Sequence, residues 1–210
     1  GGNNPGTPPD GALVSQFPVT NADIEAAMDQ LYNTMQSYVQ QANLGTQVSI
    51  GRGNGYVFVS FDDTVFFNGD SYDLRPEGRE ILDQIAVALD EASDSIDEIR
   101  VLGHTAQSRP NQENNVTADR FLASNRATVV TVYLQEKNII DPAKLVSVGY
   151  GQWRPVSSNE TPETRARNRR VELIVTGLDV ENEANDSITQ YYTMREGADG
   201  TAGTDTNAPS

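Results

Sequence analysis

Residues 103–127, GHTAQSRPNQENNVTADRFLASNRA, decide how the rest of the chain is read. A short apolar strand, IRVLGH (99–104), runs into them and gives way to a long polar loop with no aliphatic residue between Ala106 and Val116. Beyond the loop, Leu122, Val129, Val130 and Tyr133 recur at three- and four-residue spacing. That is the period of a helix over residues 118–137 with one apolar stripe. Arg126 falls inside the stripe, four residues after Leu122 and three before Val129. A guanidinium on a core-facing line is costly to desolvate unless an anion meets it. Two anions meet that demand: a carboxylate of the protein itself, or a ligand carboxylate held between helix and loop.

Upstream, TNAD (20–23) offers N-caps for a helix reaching Asn43, with Gly45 as its stop. Its apolar positions Ile24, Met28, Leu31, Met35, Tyr38 and Ala42 follow a heptad seam of less than three heptads. Such a seam packs either on the chain's own domain or on a second copy. Strands are expected at 47–50 and 56–61, joined by the GRGNG turn. In the second of them Val57, Val59 and Phe61 share one face and Tyr56, Phe58 and Ser60 the other. The acid-rich segment DDTVFFNGDSYD (62–73) lacks the D-x-D-x-D-G order and closing glutamate of a calcium loop, so a solvated connection is expected there. Pro76 opens a helix to Ala92 with Leu82, Ile85, Ala86 and Leu89 as its buried stripe.

Downstream, Asn138 caps the central helix, DPAK (141–144) turns the chain, and LVSVGYG (145–151) reads as a strand. A polar loop then leads to RARNRR (165–170) and a last strand, 171–176, with Val171, Leu173 and Val175 inward. Alternation sends Arg169 and Arg170 to opposite faces. Helices alternating with strands after a hairpin predict an α/β (α+β sandwich) fold, a mixed sheet with helices packed on one face. The expected divisions are a flexible linker (1–20), a linker helix (21–45), the domain (46–177) and an acidic tail (178–210). Within that tail DSITQYYTMRE has the composition of a short helix, and the remainder of a disordered segment.

Composition narrows the function classes. A net charge of −15 argues against general nucleic-acid binding. Most Lys and Arg nevertheless lie between Arg100 and Arg170, which suits a small anionic ligand. With no cysteine there is no disulfide, thiolate metal site or thiol nucleophile. The one histidine, His104, lacks metal-ligand spacing around it, and no G-x-S-x-G motif is present, so no enzyme, no metal and no cofactor are expected. No apolar run reaches membrane-span length, and the start GGNNPGTPPDG reads as a piece cut from a longer chain.

The ordered set GHT (103–105), L-x-x-x-R-A (122–127), GYGQWRP (149–155) and RARNRRVEL (165–173) resembles the OmpA-like peptidoglycan-binding domain. That family's usual pattern is GHTD, a loop, N-x-x-LS-x-x-RA, GYGE-x-x-P and NRRVE. The long loop after GHT, and LYNTMQSYVQQANL preceding VFVSFDDTVFFNGDSYDLRPEGREILDQIA, resemble its MotB branch, the cell-wall anchors of flagellar stators. The resemblance covers residues 24–176. It implies the OmpA-like fold, with a first helix introduced after Phe66 or Phe67. It also implies an extracytoplasmic location, a membrane helix ahead of this region, a homodimer and a MotA-type channel subunit as partner.

The implied ligand is the stem peptide of peptidoglycan, held through diaminopimelate. That residue carries an ammonium beside a carboxylate, so its receptor needs an acid and an arginine. By motif position Arg126 takes the carboxylate, with Thr105, Asn168 and Arg169 around it. The family acid is replaced here by Ala106. Asp119 is two helical turns before Arg126 on the same face, and is either the relocated acid or a helix cap. Arg169 either lines the site or makes a structural salt bridge, and Trp153 either stacks on sugar or packs. Two rivals keep the fold: an envelope lipoprotein unrelated to motility, and a domain that has lost its ligand and serves as a dimerisation scaffold.

Overall fold

A computed structural model describes residues 19–180 and the single position Met194. The linker expected at 1–20, apart from Val19 and Thr20, lies outside the described residues. So does the tail from 181 onward apart from Met194, and with it the short helix expected at DSITQYYTMRE.

The chain enters through α1 (Asn21–Gln41). Thr20 accepts from the Asp23 N–H while the Asp23 carboxylate accepts from the Thr20 N–H, a reciprocal cap. The helix ends at Ala42, and Asn43 rather than Gly45 takes the left-handed turn, with φ 55°. Its seam is covered by the chain's own core, where Met28, Leu31, Met35 and Val39 join the residues of the sheet. Val39 takes the place expected for Tyr38, and Ala42 is exposed.

The hairpin follows as β1 (Val48–Gly53) and β2 (Tyr56–Asp62), turning at Asn54 and Gly55. A four-residue α2 (Asp63–Phe66) comes before Phe67 rather than after it, and the long α3 (Pro76–Glu91) starts at the expected proline. Then come β3 (Ile96–His104), α4 (Val116–Glu136), β4 (Leu145–Gly151), α5 (Pro162–Asn168) and β5 (Arg170–Gly177). The helix α5 falls where the sequence reading placed only a polar loop. Thr161 caps it, with Pro162 in the first turn.

The five strands form one sheet in the order β1-β2-β5-β3-β4, parallel only between β3 and β4. Val57, Val59, Phe61, Val171, Leu173, Val175, Ile99 and Val101 are buried in the core shared with the helices. On the other face Tyr56 and Phe58 stack in the open, their centroids 5.7 Å apart. This is the mixed, helix-covered sheet expected from the sequence.

One expectation about α4 needs correction. Its buried line is Asp119, Ala123, Arg126, Ala127, Val130, Thr131 and Leu134, with Leu122, Val129 and Tyr133 on the flanks. Two glycines explain the rotation. A Cβ on Gly103 would lie 2.0 Å from the Ala123 carbonyl oxygen, and one on Gly149 would lie 2.2 Å from Ser124 Oγ. At these two points the helix rests directly on β3 and β4, with the small residues Ala123 and Ser124 facing the two glycines.

Candidate functional site

Three strand ends meet at one rim of the sheet. Asp62 at the end of β2 is opposite Arg170 at the start of β5, and Arg170 is opposite His104 at the end of β3. The residues just past these ends are Asp63, Arg169 and Thr105, so the register alone gathers an acid, an arginine and the GHT loop. The Asp63 N–H donates to the Arg169 carbonyl, which locks two of the three.

Arg126 enters this rim from α4 and is 1% exposed. Its Nη1 donates to Asp63 Oδ2 at 3.0 Å, its Nε to the Ser71 carbonyl at 3.0 Å and its Nη2 to the Gly69 carbonyl at 2.5 Å. The Phe67 ring lies 4.9 Å below the guanidinium carbon. Of the two anions that the sequence allowed, the one present is the protein's own Asp63. The segment 67–75 thus forms a strap across Arg126, closed by the Arg75 N–H donating to the Phe66 carbonyl.

Asp63 carries a second arginine. Arg169 Nε stands 3.5 Å from the same Oδ2, and the Arg169 side chain is 39% exposed. Burial, the largest influence, pushes the Asp63 carboxyl up, and Arg126 and Arg169 pull it down without cancelling that push. Burial also pulls the Arg126 guanidinium down, against Asp63. The pair is therefore a buried ion pair under tension, with a half-exposed cation at its open side.

Asp119 does something else. The helix cap is Asn115, whose side chain accepts from the Ala118 N–H, so of the two roles open to Asp119 capping is taken by another residue. Its Oδ1 accepts from Thr105 Oγ1 and Asn114 Nδ2, and its Oδ2 accepts from the Gln152 N–H. At 4% exposure it ties together the GHT loop, the long polar loop and the turn after β4. Gly151, at φ 65°, makes room for it: a Cβ there would stand 2.2 Å from Asp119 Oδ2. Ala106 is buried beside it, its carbonyl accepting from Asn114 Nδ2.

Asn168 is wholly buried and braces the loop before α5. Its Oδ1 accepts from the Val156 and Ser157 N–H groups, and its Nδ2 donates to the Ser157 carbonyl and Asn159 Oδ1. Trp153 is 51% exposed. The structure thus brings Arg126 and Arg169 together around Asp63, and Thr105, Ala106 and Asp119 together around the loops, while Asn168 supports from behind. Sequence reasoning missed Asp63, which it saw only as one acid in an acid-rich connection. The available signal was its position at the end of a strand paired with the RARNRR segment. Among the described residues no group of three or more His, Asp or Glu is placed to hold a metal.

Arg170, sent to the opposite face, has a different environment. It donates through Nε to Glu172 at 2.6 Å, through Nη1 to the Asn168 carbonyl and through Nη2 to the Arg154 carbonyl. His104 Nε2 is 2.7 Å from the other Glu172 oxygen, and the His104 ring stacks on Tyr150. Burial pushes the Glu172 carboxyl up, but the His104 ring and the Arg170 guanidinium outweigh it and hold the group down at about 2. A hollow of about 350 Å³ opens above this cluster on the helix-free face.

Comparison with known proteins gives a match to the OmpA family over residues 66–169. The chain is 38% identical over 122 residues to outer membrane protein A of Bordetella avium, covering 57% of either protein. It is 35% identical over 142 residues to the peptidoglycan-associated lipoprotein of Pseudomonas aeruginosa, covering 63% of this chain and 79% of that one. Among solved structures, a putative MotB-like protein from Desulfovibrio vulgaris superposes with a TM-score of 0.63 at 23% identity, over 75% of this chain and 99% of that one. The chain spans little more than half the length, 57%, of the Bordetella relative. Among the described residues no helix is long and apolar enough to cross a membrane.

Proposed function

Because the chain belongs to the OmpA family, we propose that it is a non-catalytic module that binds peptidoglycan and anchors an envelope assembly to the cell wall. The assembly we favour is a flagellar stator of the MotB type, the chain lying on the wall side of the cytoplasmic membrane. Its partners in that reading are a second copy of itself and a MotA-type channel subunit, reached through the membrane helix that precedes this region in that branch. The long polar loop between GHT and α4 and the helix ahead of the domain support the assignment.

The observation that carries the reading is the shared Asp63 oxygen. Two guanidiniums converge on one carboxylate oxygen, and one of them, on Arg169, is half exposed. An incoming carboxylate of a stem peptide meets Arg169 and, once the strap carbonyls of Gly69 and Ser71 move aside, Arg126. Thr105, Ala106 and Asp119 form the neighbouring wall, with Asp119 positioning the loop. Asn168 keeps Arg169 at the rim.

A second reading keeps wall binding but makes the protein a lipid-anchored envelope component. The identity to a peptidoglycan-associated lipoprotein over 79% of its length favours it. Soluble diaminopimelate stem tripeptide, titrated against wild type and Arg126→Ala with folding followed by circular dichroism, tests the site. Binding by wild type and its loss in a folded variant is the expected result. Equal binding by both overturns the assignment of Arg126, and no binding by wild type overturns the stem-peptide reading.

A further inference from the structure

The strand register lines up side chains across the helix-free face of the sheet. One row is Gly51, Phe58, Ile174, Arg100 and Val146, and the next is Ser49, Ser60, Glu172, Leu102 and Val148. Phe58 is exposed on this face, as is Val156 on the loop beyond β4. Two hollows of about 350 and 380 Å³ lie side by side on these rows. The first reaches from Tyr150 and Arg154 to Ile174, and the second from Ile174 to Phe58 and Gly51. Glu172 and Ile174 line both, so together they make one groove that runs across the strands. Five strands wide, it spans four strand spacings, about 19 Å.

The charges along this groove do not cancel. Arg170 and His104 share Glu172, and Arg100 pairs with Glu98. Arg154 has no acid: among the described residues its guanidinium meets only the Tyr150 ring, 4.7 Å from the centroid. Its backbone is nevertheless fixed. The Arg154 carbonyl accepts from Arg170 Nη2, and the Val156 N–H donates to Asn168 Oδ1. A cation held at one end of an apolar groove is complementary to an acid carried on an apolar body. The floor also decides the form of that body. Its strands are paired with one another, so mid-sheet there is no free N–H or C=O for an extended peptide. A helix satisfies its own backbone and brings an apolar stripe to the floor. About 13 helical residues span the groove.

We infer that this face is a docking site for an amphipathic, acidic helix of a partner protein. The apolar stripe of that helix lies on Phe58 and Ile174, and one of its carboxylates meets Arg154. The site is across the sheet from Asp63 and Arg169 and does not depend on the stem-peptide reading.

The test uses two fluorescent helical peptides of about 14 residues with the same leucine stripe, one with glutamates on its polar face and one with lysines. Each is titrated against the full chain at physiological salt and followed by anisotropy. The net charge of −15 favours the lysine peptide, so a preference for glutamate has to come from a local cation. Wild type is expected to prefer the glutamate peptide by about tenfold, the size of one hydrogen bond between charged groups. Arg154→Glu is expected to reverse that preference and Phe58→Ser to weaken both peptides, each variant being folded by circular dichroism. The inference fails if wild type binds neither peptide or both alike. It fails equally if Arg154→Glu keeps the preference or Phe58→Ser keeps both affinities. A dimer in sedimentation equilibrium that Phe58→Ser dissociates gives the face to a second copy and overturns the inference. Capture by phosphatidylglycerol vesicles that Arg154→Glu abolishes gives it to a membrane surface, with the same consequence.

Discussion

Arg169 and Arg170 are adjacent in sequence and occupy opposite faces of one sheet, each beside a carboxylate. Arg170 is buried, and its donors go to Glu172 and to two carbonyls of neighbouring loops. Glu172 is held at about 2 by its partners despite burial. Across the sheet, Arg169 is half exposed and makes only a long approach to Asp63, whose carboxyl is pushed up because burial wins over two arginines. In the first cluster the opposite charges of Arg170 and Glu172 meet each other directly and stabilise the joint between β3, β5 and the loop after β4. The second leaves charge available to something else. The same residue type, one position apart, serves the fold on one face and is free for a ligand on the other, because the sheet's alternation decides which partners it meets.

The largest expected effect falls on the ligand side of that comparison. Arg126→Ala strips a buried carboxylate of its main counter-ion and is expected to cost about 3–5 kcal/mol in denaturant unfolding. A cost under about 1 kcal/mol would mean that Asp63 finds relief from Arg169 alone. Glu172→Gln tests the opposite face. The folded Glu172 carboxyl is depressed from 4.5 to about 2, so its stabilisation is complete above about pH 4.5 and is lost as pH falls toward about 2. With solvent screening allowed for, this amounts to about 2 kcal/mol. Wild type should lose that increment on acidification, and Glu172→Gln should lack it throughout. Identical pH profiles for the two would break the account of this cluster.

Smaller effects belong to the loops and the entry helix. Asp119→Ala leaves the Thr105 hydroxyl, Asn114 amide and Gln152 N–H without their acceptor, a loss of about 1–3 kcal/mol. Amide exchange at Gln152 should quicken well before exchange in the β5 core. Thr20→Ala removes half of the reciprocal cap of α1 and should cost about 1 kcal/mol, read from the thermal midpoint.

How much of this was legible in the sequence differs between the two sides of α4. Arg126 announced itself, because a charge on an apolar line demands an anion whatever the fold. Its partner did not, since Asp63 is 63 positions away and sits in an acid-rich stretch where nothing marks one acid as buried. The heptad seam of α1 was readable, but its partner was a question of tertiary packing that spacing alone left open. Of the two roles open to Asp119, relocated acid or helix cap, the cap belongs to Asn115, because α4 starts two residues earlier than its apolar period predicts. The short helix α5 had a signal in TPET, a cap followed by proline, masked by the polar loop before it. The rotation of α4 followed from Gly103 and Gly149, whose closeness to the helix backbone and Ser124 appears only once the strands are paired.

The most direct test of the contrast between the two faces is sedimentation with purified peptidoglycan sacculi at neutral pH, comparing wild type, Arg169→Gln and Glu172→Gln. Arg169→Gln removes a half-exposed ion pair and should change stability by less than about 1 kcal/mol. It should nevertheless remain in the supernatant, while wild type and Glu172→Gln enter the pellet together. Arg169→Gln pelleting as fully as wild type, or Glu172→Gln failing to pellet while folded, would contradict the assignment of the ligand to the Asp63 face.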